Sequence, residues 1–177
     1  MSDDNTMYIE GAADPTNGRP VCLIRWGAVQ AEIPVEQVFA TARDLAAAAV
    51  AAETDKALME ELMDPKRLAL DLQTAGQLLV KVRERRDSIP RQQGAARAAL
   101  RIGAVYGVRT KLPLVHIARG SMNGELSPDE ARQMAQDWNE AAVASVLDAR
   151  FRYAMGDVGM DHVAIEDVFK RVAALLR

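Results

Sequence analysis

Residues 20–55 return, 93 positions later, as residues 113–148 without a gap. Pro20, Ile24, Gly27 and Glu32 meet Pro113, Ile117, Gly120 and Glu125, and Asp44 and Asp55 meet Asp137 and Asp148. Between them Ala48, Ala49, Val50 and Ala51 meet Ala141, Ala142, Val143 and Ala144. With Ala42 and Ala135, that makes eleven coincidences in 36 positions, against roughly three expected from ordinary composition. The apolar pairs Cys22/Val115, Ile33/Leu126 and Leu45/Trp138 keep their character as well. A chain built this way has to place the same strand, turn and long helix twice. The expected result is two strands sharing one small sheet, with two helices side by side in a pseudo-twofold scaffold. Such a scaffold carries no chemistry by itself.

The elements follow from local patterns. Residues 1–19 read as turn residues around Met7-Tyr8-Ile9, and 20–26 as a strand stopped by Gly27, with 29–33 as a short partner. Pro34 suits a first helical turn, and Val38, Ala42, Leu45, Ala49 and Ala52 define one face of a helix over 34–62. Asp64-Pro65 breaks it, and a helix over 65–87 follows with Leu68, Leu72, Ala75, Leu79 and Val82 on one side. A weaker helix is expected over 92–106, a strand over 112–117 and a turn over 120–124. Ser127-Pro128-Asp129-Glu130 is a capping box opening a helix to about Met155, and Asp161 caps a last helix with a strong apolar face of Ile165, Val168, Phe169, Val172, Leu175 and Leu176. The fold class is therefore α+β and mostly helical, with about five helices and a small β-sheet. The chain reads as one domain over 1–177, its repeats joined by a basic helical segment at 64–111.

Composition narrows the chemistry. Hydrophobic residues make up 49% of the chain and charged residues 27%, as in an ordinary globular protein, but aromatics only 5%. The longest apolar run, Leu45–Ala52, is far shorter than the ~20 residues a membrane helix needs. The acidic N-terminus lacks the apolar stretch of a signal peptide, which points to the cytoplasm of the cell that makes the protein. One cysteine excludes an internal disulfide, and two histidines leave little for zinc, so neither a metal nor a cofactor is expected.

The net charge of −3 hides a segregation: −7 over residues 1–63, +8 over 64–119 and −4 over 120–177. Lys81, Arg83, Arg85, Arg86, Arg91, Arg97 and Arg101 form the centre of the basic part. An arginine fork matches phosphate oxygens, so this track is the candidate binding surface for nucleic acid. The same side chains suit an acidic protein, the chain's own acidic flanks, or those of a second copy. A helix-turn-helix is not indicated, because no second helix carries base-reading residues.

Catalytic signatures are missing: there is no phosphate-binding glycine loop, nucleophile elbow or metalloprotease motif. His116 reads as a structural histidine in a strand. Asp161, His162 and Glu166 could bind a metal or exchange protons, but a helix cap with an exposed His–Glu pair explains them better. Cys22 reads as a small hydrophobe. Asp44/Asp137 and Asp55/Asp148 could approach as carboxylate pairs, though solvated faces or ion pairs between helices account for them. An enzyme with a site around His116 or His162 is the least favoured reading.

Arg25-Trp26-Gly27, Glu32 to Glu36, the helix ending Ala52-Glu53-Thr54-Asp55, Leu78 to Arg86 and Leu126 to Arg132 together resemble small accessory proteins encoded by phages of actinobacteria. The resemblance implies a phage accessory role and favours a non-enzymatic protein that binds host or phage machinery. With the missing catalytic motifs, the Ala-rich helices and the charge segregation, the expectation is a regulator or inhibitor of host machinery that binds a host or phage protein, as a dimer. It transfers no site residues.

Overall fold

The structure is a computed structural model that describes residues 7–14, 17–87, 100–120 and 122–175. Its elements run β1 (Met7–Ala13), β2 (Pro20–Trp26), β3 (Val29–Pro34), α1 (Val35–Met63), α2 (Leu72–Asp87), β4 (Arg101–Tyr106), β5 (Pro113–Arg119), β6 (Met122–Leu126), α3 (Pro128–Asp157) and α4 (His162–Leu175). The strands form two antiparallel sheets, β1-β2-β3 and β4-β5-β6. Among the described residues the fold is thus α+β with four helices and two three-stranded sheets, where five helices and one sheet were expected.

Three local misreadings account for the difference. Residues 7–13, expected as part of a turn-rich stretch around Met7-Tyr8-Ile9, form β1, which pairs with β2 along its whole length. Residues 101–106, expected as the end of a helix, form β4: Ile102, Val105 and Tyr106 favour a strand and Gly103 disfavours a helix. Residues 88–99 lie outside the described part. The turn expected over 120–124 is shorter than that: residues 122–126 alternate half-buried and exposed side chains as β6. The second helix also begins later than expected, at Leu72, where Asp71 caps it.

Each sheet is followed by a long helix, consistent with a duplicated unit, and the correspondence extends past the residues that suggested it. β2 and β5 are both seven residues long and begin 93 residues apart, as do α1 and α3. Ile24 pairs with Ile9 and Ala31; Ile117 pairs with Ile102 and Gly124, each displaced by the same 93. Gly27 and Gly120 turn the chain between the paired strands at φ 56° and 61°, a left-handed conformation that a side chain would strain. The buried positions repeat too: Cys22/Val115, Ile24/Ile117, Val38/Ala131, Ala42/Ala135, Leu45/Trp138 and Ala49/Ala142.

The chain divides into two compact units, residues 1–40 with 137–177, and residues 41–136. Each unit combines the sheet of one repeat with most of the helical mass of the other. In the first unit α3 lies on β1 and β2. The Ser145 hydroxyl, with one proton to give, sits 2.7 Å from the Ala12 carbonyl and 2.9 Å from that of Val21. Gly11 permits this approach, since a Cβ there would lie 2.7 Å from the Ala141 carbonyl oxygen. In the second unit Met59 and Leu62 of α1, Ala75 and Leu79 of α2 and Tyr106 of β4 form one buried cluster. No helix among the described residues is long and apolar enough to cross a membrane.

Candidate binding site

The basic track has two fates in the second unit. Asp55 is 1% exposed on α1, and a carboxylate taken out of water needs positive partners. Arg83 supplies one through Nε, 2.8 Å from Oδ2, and Arg86 the other through Nη1, 3.0 Å from Oδ1. These two arginines therefore tie α2 to α1. Lys81 and Arg85 are exposed on α2 and Arg101 at the start of β4. Arg91 and Arg97 lie outside the described residues. The segregation of charge along the chain is thus partly an internal pairing of the basic segment with the acidic one before it.

Beside this ion pair lies a cleft of about 610 Å³. Met59, Leu72, Leu79, Val80, Tyr106 and Val108 form its apolar walls, with Gln73, Gln77 and Arg83 contributing polar groups. The helix wall is fixed at its N-terminus by Asp71, whose carboxylate accepts from the Thr74 backbone N–H at 2.9 Å and from the Thr74 hydroxyl at 2.8 Å. Those bonds hold the Asp71 carboxyl below its usual range. Sequence reasoning missed this cleft because Tyr106 was expected in a helix rather than at the end of a strand.

The first unit has a cleft of about 500 Å³ lined by Ala13, Asp14, Gly18, Arg152, His162 and Glu166. Arg152 donates to Asp148 at 2.9 Å and to Glu166, and lies over the Phe169 ring, 4.3 Å from its centre. The guanidinium hydrogen bond holds the Glu166 carboxyl below its usual range. Asp161 caps α4 by accepting from the Ala164 N–H at 2.8 Å. The expected cap is present, and Glu166 is engaged mainly by Arg152.

The two clefts occupy equivalent places in the repeats. Met59, Gln73 and Tyr106 of the apolar cleft correspond to Arg152, Glu166 and Ala13 of the charged one, each pair 93 residues apart. The two places share a geometry and differ in chemistry.

The remaining candidates have structural surroundings. Cys22 is fully buried, and burial pushes its thiol up to about 11. His116 is half-buried in β5, across from Gly103 and Glu125. Asp44 is half-buried and Asp137 exposed, while Asp148 serves Arg152. Among the described residues, no group of three or more His, Cys, Asp and Glu is placed to hold a metal ion.

One feature outside the clefts was not singled out by the sequence. On the side of α3 away from buried Ser145, Ala144, Leu147, Phe151 and Ala154 are exposed in steps of three, four and three, and exposed Val158 follows just past the helix end. Leu147 is 46% and Phe151 58% exposed. The corresponding residues of α1 are Ala51, Thr54, Leu58 and Glu61, so the stripe is particular to the second repeat. Comparison with known proteins gives no relative to draw on: no family model, curated protein or solved structure matches the chain.

Proposed function

We propose that the protein is a non-catalytic phage accessory protein that acts by protein contact, pairing with a second copy through α3 and binding a host or phage protein as a regulator or inhibitor. The α3 stripe carries this reading. Steps of three and four are the repeat with which one helix packs lengthwise on another. A second copy fits in the antiparallel sense. Phe151 then falls against the small Ala154 of the partner subunit and Leu147 against Val158 of the partner subunit. Exposed Arg150 of each copy faces exposed Asp157 of the partner subunit, twice by symmetry. A parallel pair would place Arg150 beside Met155 and lose that complementarity.

The alternative is a nucleic-acid-binding protein using residues 81–101. Lys81, Arg85 and Arg101 are exposed for such a role, whereas Arg83 and Arg86 bind Asp55. Light scattering after size exclusion tests the main reading. The wild type is expected to be a dimer, and Leu147→Glu with Phe151→Glu a monomer of unchanged helical content. Capture of a host or phage protein from nuclease-treated lysate should be lost in the same variant. A monomeric wild type, or capture indifferent to the variant, would overturn the reading. Capture that collapses with nuclease, with affinity falling steeply with salt, would transfer the function to nucleic acid.

A further inference from the structure

The apolar cleft of the second unit contains a charged group without a full set of partners. Arg83 spends its Nε on Asp55, but its Nη2 is buried and has no hydrogen-bond partner among the described residues. A buried guanidinium donor left unmade is costly, and structures keep such groups where something else completes them. Arg83 lines the cleft, and its side chain is 24% exposed. The cleft's other walls are aliphatic, aromatic and thioether groups, with only the neutral amides of Gln73 and Gln77 among them.

Gly76 points the same way. It stands in the interior of α2, where glycine costs a helix ~1 kcal/mol relative to alanine. No tight turn or close neighbour requires it: a Cβ at Gly76 would meet nothing within 4 Å. Its residue does line the cleft, and a side chain there would project into open space. The glycine thus keeps the cleft open at a cost to the helix.

The sister cleft is arranged differently. There the arginine is Arg152, and the carboxylate that satisfies it is Glu166 of α4. The residue equivalent to Glu166 in the apolar cleft is Gln73, an amide with no charge to offer Arg83. The two arginines are not equivalent positions, since Met59 stands where Arg152 does, and Arg83 shares the Asp55 carboxylate with Arg86.

We infer that the cleft between α2 and the end of β4 binds a small amphiphilic carboxylate, its apolar body against Met59, Leu79, Val80 and Tyr106 and its carboxylate on Arg83. The site is independent of the α3 stripe and stands whether or not the protein pairs through it. Pockets of a few hundred Å³ with apolar walls and one fixed polar group are the usual form of small-molecule sites. The carboxylate sets orientation through a charge-assisted hydrogen bond, and the walls supply contact area.

Decanoate is the test probe and decanol its uncharged control, titrated into the full chain with backbone amide shifts read by nuclear magnetic resonance. The expected result is saturable shifts at Gly76, Gln77 and Tyr106 with decanoate, and affinity at least about tenfold lower with decanol, as loss of one charge-assisted bond implies. Gly76→Leu should abolish the shifts while leaving the unfolding midpoint equal or higher, because leucine is the better helix former. Gly76→Ala separates helix propensity from occupancy: it should stabilise the fold and weaken binding less than leucine. The variants leave Arg83 and its Asp55 contact in place, so loss of binding cannot come from a broken ion pair. Equal affinity for decanoate and decanol, shifts unaffected by Gly76→Leu, or no shifts at millimolar decanoate would each overturn the inference.

Discussion

Asp55→Ala should be the most damaging single substitution among the charged residues. Its carboxylate is 1% exposed and accepts two charge-assisted hydrogen bonds, at 2.8 and 3.0 Å. Such bonds contribute ~1.5–3 kcal/mol each, and removing one partner of a fully buried pair costs ~3–5 kcal/mol. The arginines are 24% and 33% exposed, so water takes up part of the lost interaction and the expectation falls to about 2–3 kcal/mol. The equivalent residue, Asp148, is 25% exposed and bonded to Arg152 only one turn away, so Asp148→Ala should cost about 0.5 kcal/mol. Urea unfolding followed by far-ultraviolet circular dichroism measures both. A double-mutant cycle with Arg83→Met then isolates the coupling, expected to exceed about 1 kcal/mol. Equal costs for the two aspartates, or a coupling near zero, would refute the claim that this ion pair fastens α2 to α1.

Other consequences are independent of that pair. Gly11→Ala puts a methyl 2.7 Å from the Ala141 carbonyl oxygen and should lower stability by ~1–3 kcal/mol in the same unfolding assay. The Cys22 thiol, raised to about 11 by burial, stays protonated at pH 8, so its alkylation should follow the rate of opening and become fast only in denaturant. Glu130 accepts from the Ser127 N–H and is held below its ordinary value for that reason. Its contribution is present above the unfolded-state value near 4.5 and is lost as pH falls through the lower folded value. Glu130→Gln should therefore flatten the pH dependence of unfolding in that acidic window.

What the sequence made legible was local and periodic. The capping box at Ser127–Glu130 fixes the start of α3 by two reciprocal hydrogen bonds, and all its participants lie within four residues. The β-branched, apolar run at 20–26 and the glycine at 27 were equally plain, and the first long helix was placed to within a residue at either end. β4 and β6 were not legible because glycine, alanine and asparagine blur a strand's pattern, and pairing with β5 decides the matter. The clefts need contacts across the chain. Tyr106 reaches Met59 and Leu79 only after α1, α2 and β4 have assembled, and nothing in the spacing of those residues announces it. The basic track looked like one surface because seven cations fall within 21 residues; Asp55, 28 residues before Arg83, lies outside any local window.

The composition of the two units leads to a prediction about the whole chain. Had each repeat folded on its own helices, a cut between the repeats would leave two independent domains. The contacts run otherwise: Ser145 of the second repeat bonds to strand carbonyls of the first, and Tyr106 of the second repeat packs on Met59 and Leu79 of the first. Each unit thus needs both halves, so residues 1–93 and 94–177 expressed as separate polypeptides should each lack a complete core. Mixed, they should recover the circular dichroism of the intact chain and elute as a one-to-one complex, with a midpoint that rises with concentration because closure is now bimolecular. Self-pairing of residues 1–93 should be weaker, since its own α1 would have to place Ala52, without a hydroxyl, where Ser145 bonds to β1 and β2. Halves that fold alone as cooperative monomers, and do not associate, would show that the exchange of helices between sheets is wrong.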